Sequence, residues 1–351
     1  MTTFYPLMIK EIQHETNDAV VLTFAIPASL SAEFKFKPGQ YLTLKSTLDN
    51  EELRRCYSIC SSANDSDLSI GIKEIPDGRF SQYANKELKV GDSIDVMSPK
   101  GQFGFEPEKN TNKKYLGIAV GSGITPIISM LKSTLEAEPE SQFTLLYGNK
   151  TLNSTMFKRE LSDYKNRFTD RLQLVYLFSR ESHEAELLNG RLDAQKLQDL
   201  GHSFFDWSKF NECYLCGPEE MLEPSYSVLN KGGLRKENFH VERFNISKSP
   251  RRAIESHVEK SEITVKRDGR IMSIEMTEDD DSILDAALRQ GADLPHACKG
   301  GVCATCICKV TSGTVEMSVN YSLEDEQVNK GFVLSCQAVP TSNAVTVDFD
   351  A

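Results

Sequence analysis

No run of apolar residues in this 351-residue chain approaches the roughly 18 that a membrane-crossing helix needs, so no membrane partner is expected. Positive charge is also in short supply. Lys and Arg number 40 against 51 Asp and Glu, and a net charge of -11 argues against nucleic acid as a partner. Internal repeats and low-complexity tracts are missing. The start, Met1-Thr-Thr-Phe-Tyr-Pro-Leu-Met-Ile-Lys10, lacks the basic and long apolar regions of a signal peptide, and the expected location is the cytoplasm. Hydrophobic residues at 39% and charged residues at 26% are ordinary for a globular protein, which excludes disorder, collagen and a disulfide-stapled mini-protein. The nine cysteines are odd in number. In a reducing compartment such a set predicts metal ligands or redox groups rather than a disulfide framework, and five of the nine lie after residue 297.

The length predicts two or three domains. From Phe4 to about Phe105 the chain runs in short β-branched and aromatic stretches, Val20–Phe24, Tyr41–Leu44, Leu68–Ile72 and Ser93–Val96. Turn signals such as Lys37-Pro-Gly39, Pro76-Asp-Gly78 and Val90-Gly-Asp92 separate them, a spacing that predicts an antiparallel β-barrel over residues 1–108. Over 109–246 apolar strand runs alternate with helix-length segments. Leu116–Val120, Phe143–Tyr147, Leu172–Phe178, Glu212–Cys216 and Phe239–Phe244 predict five strands of a parallel sheet, the α/β layout of a nucleotide-binding domain. Residues 247–261 are polar, contain Pro250 and read as a linker. The remainder, 262–351, is an acidic module with 15 Asp and Glu against 7 Lys and Arg, hence -8 of the total -11. A hairpin over Ile263–Ile271 opens it. A helix is expected next, with Ser282 as N-cap, Asp285 three residues on and Gly291 as its stop.

Cys298-x4-Cys303-x2-Cys306, with Cys336 after 29 more residues, has the spacing of a plant-type 2Fe-2S site. Three thiolates from one tight loop and a fourth from elsewhere converge on two irons, and Gly300 and Gly301 let the loop bring backbone N–H groups to the sulfurs. A zinc site or plain buried thiols are the alternatives, but zinc usually takes paired Cys-x2-Cys, and the second pair is missing. A Rieske centre needs two His ligands; His296 has no second histidine suitably placed and is expected to be an exposed loop residue, while Cys308 is expected to pack in a strand. With Ser282-Ile-Leu-Asp-Ala-Ala287 ahead of the loop and Leu334-Ser-Cys-Gln337 after it, the module resembles plant-type ferredoxins, which implies a β-grasp-like α+β fold.

A single 2Fe-2S cluster carries one electron at a time, so something else must load it. Arg55-x-Tyr57-Ser58 resembles the flavin motif of the ferredoxin-NADP reductase superfamily. Arg55 suits a pyrophosphate, Tyr57 a flavin ring and the Ser58 hydroxyl the edge that accepts hydride. Gly78-Arg-Phe-Ser81 follows, where the superfamily holds the pyrophosphate, and the resemblance extends flavin contacts to Lys73, Gly78, Phe80 and Ser81. Cys56 and Cys60 read as ordinary strand residues. Gly121-Ser-Gly-Ile-Thr-Pro126 comes directly after a strand and opens a helix, with Gly121, Gly123 and Thr125 placed for a phosphate. It departs from the Rossmann fingerprint by carrying proline where the third glycine would stand, a departure typical of the same superfamily.

Cys216-Gly217-Pro218 ends the fourth expected strand. The resemblance puts Cys216 by the nicotinamide and Glu242 with Phe244 by the flavin, making Ser58, Cys216, Glu242 and Phe244 the expected catalytic residues. A redox dithiol of Cys213 with Cys216, and plain strand roles for Glu242 and Phe244, are the competing readings. Ser179-Arg180 after the third strand matches the pair that binds the 2'-phosphate in NADP-specific relatives, which favours NADPH over NADH.

In the order flavin barrel, nicotinamide domain, ferredoxin, the chain is similar to the reductases of multicomponent oxygenases. Arg54–Cys60, Cys298–Cys306, Asn320–Leu323 and Gly331–Gln337 carry a closer resemblance to the reductase subunits of aromatic acyl-CoA epoxidases. That implies FAD, NADPH as donor, and a di-iron oxygenase as acceptor, docked through the acidic ferredoxin module. Other acceptors, a hybrid-cluster protein or a ring-hydroxylating dioxygenase, and a redox sensor without turnover, are the alternatives.

Overall fold

The computed structural model of the chain describes residues 3–244 and 260–351, so most of the expected linker lies outside the described residues. Period-two burial shapes the first sheet. Leu7 and Ile9 are fully buried while Met8 between them is 51% exposed, as a strand with one face on a core demands. The strands are β1 (Tyr5–Thr16), β2 (Ala19–Ala25), β3 (Tyr41–Leu48), β4 (Glu51–Ser58), β5 (Leu68–Lys73) and β6 (Ser93–Val96), with helix α1 (Arg79–Lys86) between the last two. Their order is β4-β3-β6-β1-β2-β5. An antiparallel bridge from Ile59, just past β4, to Ile70 in β5 joins the two edges, and Cys60 N donates to Ser69 O at 2.8 Å. This closes the sheet into a barrel around Leu7, Leu22, Phe24, Leu42, Ile70 and Phe80.

The second sheet is built from β7 (Lys114–Val120), β8 (Gln142–Asn149), β9 (Leu172–Phe178), β10 (Glu212–Cys216) and β11 (Phe239–Glu242). All neighbours are parallel, in the order β11-β10-β7-β8-β9. Helices α2 (Ile124–Ala137), α3 (Lys158–Arg167), α4 (Ala194–Ser203) and α5 (Glu219–Lys231) connect them. One core buries Ile127, Leu131 and Tyr147, and a separate one buries Leu116, Ile118 and Leu146 with Trp207, so both faces of the sheet are covered. The chain reverses direction across the sheet between β7 and β10, and the ends of those strands are where α/β sheets open a ligand crevice.

Barrel and α/β sheet share one compact unit, residues 5–53 with 57–244; residues 260–351 form the other, joined by 3–4 and 54–56. Polar groups at α2 stitch the first unit together. Ser129 Oγ donates to Ser61 O at 2.7 Å, and Ser62 Oγ donates to Glu136 Oε2 at 2.6 Å. Lys132, 4% exposed, pairs with Glu160 at 2.8 Å. Glu160 is itself 36% exposed, so it is the loss of this carboxylate that matters, because it leaves the buried ammonium less well paired. Phe157 holds a left-handed φ of 57° at the start of α3, and its N–H donates to Glu15 Oε2 of β1 at 2.6 Å.

The second unit comprises β12 (Lys260–Arg267), β13 (Arg270–Thr277), α6 (Ile283–Arg289), β14 (Ile307–Ser312), β15 (Val315–Met317), α7 (Asp325–Asn329), β16 (Phe332–Leu334), β17 (Ala338–Pro340) and β18 (Ala344–Asp348). A five-stranded mixed sheet runs β13-β12-β18-β14-β16, and β15 pairs with β17. Strand β12 begins inside the expected linker, since Lys260 already pairs with Thr277. Ser282 caps α6 by accepting from Asp285 N at 3.2 Å, and Gly291 takes φ 81° beyond its end, as its sequence foretold. No described helix is long and apolar enough to cross a membrane.

Candidate functional site

The loop from α6 to β14 carries Cys298, Cys303 and Cys306, and Cys336 follows β16. Cys303, Cys306 and Cys336 are buried and Cys298 is half-buried. The loop turns through left-handed positions at Lys299 (φ 53°), Gly301 (φ 79°) and Ala304 (φ 49°). Two of these are not glycine, and each such residue stores roughly 1–3 kcal/mol of strain that the surrounding packing must hold. Gly301, rather than Gly300, is the glycine in the left-handed region. Its missing side chain leaves room for Val319 and Gln337, whose atoms lie 3.2 and 3.3 Å from where a Cβ would stand. Gly300 N donates to Cys298 Sγ at 3.3 Å, and Gln337 Nε2 donates to Cys336 Sγ at 3.4 Å.

Of the four expected ligands, Cys298 neighbours Cys303 and Cys306 neighbours Cys336, while Cys303 is also hydrogen-bonded to Cys56. A hydrogen bond with Cys303, then burial, pushes the Cys298 thiol up, and a hydrogen bond with Cys336, then burial, holds Cys306 well above the usual thiol range. Cys336 is pulled below its ordinary value by the same bond to Cys306. Among the described residues no three His, Cys, Asp or Glu side chains converge as ligands of a single metal ion. A two-by-two set is the donor pattern that two bridged irons need, and with two N–H groups already aimed at sulfur the loop fits a 2Fe-2S cluster. His296 is half-buried instead of exposed, its Nδ1 lying 2.9 Å from Leu294 O and 3.3 Å from Arg54 Nη1. Cys308 is buried in β14, as expected.

On the barrel, β4 presents Arg55 exposed, Tyr57 half-buried and Ser58 buried. Arg55 Nη1 donates to Arg54 O at 2.7 Å. The Tyr57 ring lies 5.6 Å from that of Phe80, which is 1% exposed and belongs to the barrel core. Phe80 therefore backs Tyr57 and offers a ligand its backbone N–H, not its ring. Ser81 is turned inward too: its hydroxyl accepts from Ile75 N at 3.2 Å and donates to Gly78 O at 2.9 Å. Gly78 precedes α1, whose N-terminus has no side-chain cap, so its first amides remain for an anion. Lys73 ends β5 with its ammonium 3.3 Å from Asp18.

The crevice between β7 and β10 is built from backbone. Gly121 takes φ 57° with open space where a Cβ would go, and its carbonyl accepts from Tyr147 Oη at 3.1 Å. A Cβ on Gly123 would stand 2.1 Å from Cys216 O, and one on Gly217 would stand 2.8 Å from Met221 Sδ. Only glycine lets these two strand ends meet. Thr125 is 2% exposed, its Oγ1 donating to Ser122 O at 3.0 Å, while its methyl faces Gly71 of β5. Cys216 is fully buried, and burial, then the neighbouring Glu242 carboxylate, pushes its thiol well up. Cys213 lies in the opposite face's core, so the two do not form a dithiol. Strand β11 stops at Glu242, two residues short of the expected end; Phe244 follows it, 39% exposed.

Past β8 and β9 the parallel pairing continues, with Ser179 N donating to Asn149 O at 3.0 Å and Arg180 N to Lys150 O at 2.8 Å. Lys150, Ser179 and Arg180 are all exposed. Glu181, the nearest acid in sequence, is diverted: its Oε2 accepts from Leu152 N at 2.7 Å. Lys150 is not among the residues that the sequence singles out, because its only signal is the register of β8 on β9.

Three family models match the chain. Residues 6–105 match the oxidoreductase FAD-binding domain, 118–225 the oxidoreductase NAD-binding domain, and 265–341 the 2Fe-2S iron-sulfur cluster binding domain. The chain is 48% identical to a component of the 1,2-phenylacetyl-CoA epoxidase of Escherichia coli (strain K12) over 100% of its own length and 99% of that protein's. It is 31% identical to the 3-ketosteroid-9-alpha-monooxygenase ferredoxin reductase component of Mycobacterium tuberculosis (strain CDC 1551 / Oshkosh), covering 98% of this chain and 95% of that one. Among solved structures, phthalate dioxygenase reductase shares the fold with a TM-score of 0.60 at 22% identity, covering 99% of this chain and 98% of that chain.

Proposed function

Because the chain belongs to the FAD-, NAD- and 2Fe-2S-binding reductase components of oxygenase systems, we propose that it oxidises NADPH and delivers electrons to a di-iron oxygenase that epoxidises phenylacetyl-CoA. The observation that carries this reading is 48% identity over the full length to a component of such an epoxidase. When bound, FAD would supply an acceptor for one hydride, that is two electrons at once, and the 2Fe-2S cluster would supply one-electron transfer.

The chain's own residues bind, orient and screen. Cys298, Cys303, Cys306 and Cys336 would hold the 2Fe-2S cluster. Arg55 and the uncapped amides in the first turn of α1 would take the FAD pyrophosphate, while Tyr57, backed by Phe80, would cover the ring and Ser58 would sit near its reactive edge. Gly121, with open space at its Cβ position, would leave room for the nucleotide's pyrophosphate, while Gly123 and Gly217 let the chain pack closely against Cys216 and Met221 and Thr125 anchors the head of α2 on Ser122 O and Gly71; Phe244 would cover the side of the ring that nicotinamide must reach. Cys216 acts from beneath, since its buried thiol supports Gly123.

Preference for NADPH is supported by Ser179, Lys150 and Arg180, a serine and two cations at adjoining strand ends with the neighbouring carboxylate of Glu181 turned away. The acidic module supports docking on a basic face of the oxygenase, in a salt-dependent way. Purified protein is expected to hold one FAD and about two irons, to bleach in succession on anaerobic NADPH titration, and to sustain turnover of a purified phenylacetyl-CoA epoxidase. Indifference to that oxygenase alongside rapid reduction of a ketosteroid or ring-hydroxylating one would reassign the acceptor; negligible NADPH-dependent reduction of cytochrome c would end the reductase reading.

A further inference from the structure

The residue after the last cysteine has a position out of proportion to its plain amide chemistry. Gln337 is 1% exposed. Its Nε2 reaches Lys299 O, inside the three-cysteine loop, at 3.1 Å and Cys336 Sγ at 3.4 Å. Both partners are acceptors, so the amide's nitrogen and not its oxygen must face them, and its two hydrogens are divided between them. Its backbone is held as firmly: Gln337 N donates to Leu334 O at 2.8 Å, while Ser318 N and Ser318 Oγ both donate to Gln337 O, at 2.9 and 3.1 Å. Its side chain also fills the space beside the left-handed Gly301, 3.3 Å from where a Cβ would be.

We propose that Gln337 is a positioning residue for the cluster: one side chain ties the three-cysteine loop to the fourth ligand and hydrogen-bonds that ligand's sulfur. Two consequences follow from the two bonds. The bond to Lys299 O fixes the strained loop at the distance from Cys336 that four thiolates need, which lowers the ordering cost of cluster capture. The bond to Cys336 Sγ draws charge from the thiolate and so favours the reduced, more negative cluster, raising its potential. The inference rests on the cluster reading above, and the two fail differently: a wild-type protein without iron ends both, whereas an iron-loaded wild type with an indifferent Gln337 variant ends this one alone.

Gln337→Leu removes both donors at similar volume. In the full-length protein, with iron and FAD content measured first, redox titration is expected to show a cluster potential more negative than wild type, with the flavin potential unmoved. Loss of the cluster to a chelator is expected to be about tenfold faster or more. Wild-type potential and wild-type chelator resistance together would overturn the proposal. Where Gln337→Leu retains no cluster, thermal unfolding of the apo forms decides. An apo variant as stable as apo wild type places the loss in ligand positioning, as proposed, and an apo variant already unfolded makes Gln337 a folding residue and overturns it.

Discussion

The cluster loop and the nucleotide crevice are two ways of writing a binding site. The first is written in side chains, four thiols whose identity and spacing carry the chemistry. The second is written in backbone: Gly121, Gly123 and Gly217 contribute by what they lack, and the strand ends they join contribute amides and carbonyls. A side-chain site fails when a ligand atom is removed. A backbone site fails when an atom is added. The two also differ in where strain is kept, since the cluster loop stores it in Lys299 and Ala304 at left-handed angles, whereas the crevice avoids it by placing glycine at Gly121.

The largest expected effect breaks the side-chain site alone. Cys336→Ser is expected to abolish the cluster's absorption and EPR signals while FAD content and NADPH-dependent ferricyanide reduction stay near wild type. Cytochrome c reduction through the cluster should fall to background. Loss of flavin along with the cluster would show that the two cofactors are not held independently.

Adding one carbon should break the other site. Gly123→Ala places a Cβ 2.1 Å from Cys216 O, a backbone atom that cannot swing aside. Overpacking of this kind costs roughly 1–3 kcal/mol, which in a unit of this size lowers its melting temperature by about 2–4 °C per kcal/mol. Nicotinamide affinity should drop with it, while the cluster spectrum is unchanged. Gly121→Ala is the control that sharpens the reading: open space surrounds that position in the ligand-free chain, so only its φ of 57° opposes the substitution and the loss of stability should be smaller. Equal losses would mean that backbone angle, not close approach, governs the crevice.

The same contrast explains what was legible beforehand. That Cys298, Cys303, Cys306 and Cys336 come together could be read directly, because thiolate spacing is local and the chemistry permits few substitutes. The parallel strands were legible through apolar runs, as was α6 through Ser282 and Gly291. Burial was not. Phe80 and Ser81 stand in a motif that suggests ligand contact, yet the first turn of α1 directs both side chains inward. Cys216 looks like a residue facing a ligand until Gly123 is laid over it. His296 is held by Leu294 O and by the distant Arg54, which residue spacing does not reveal. Gln337 and Lys150 owe their positions to long-range pairing, which leaves no mark on residue spacing.

The smallest effect concerns the one part of the nucleotide site that is written in side chains. Arg180 is exposed beyond β9, alongside Lys150 and Ser179, and on the proposed reading it would touch only the far end of the nucleotide, away from the reacting carbon. Its contribution should therefore be equal in ground state and transition state, which raises KM and leaves kcat alone. A hydrogen bond to a charged group is worth about 1.5–3 kcal/mol, so Arg180→Ala should raise KM for NADPH roughly 10- to 150-fold and hardly alter that for NADH. Lys150→Ala should act in the same direction and less strongly, because its ammonium is a point charge where Arg180 offers a planar fork. Steady-state kinetics with both nucleotides checks this. Equal losses for NADPH and NADH would remove the 2'-phosphate from these strand ends and leave the crevice a purely backbone site.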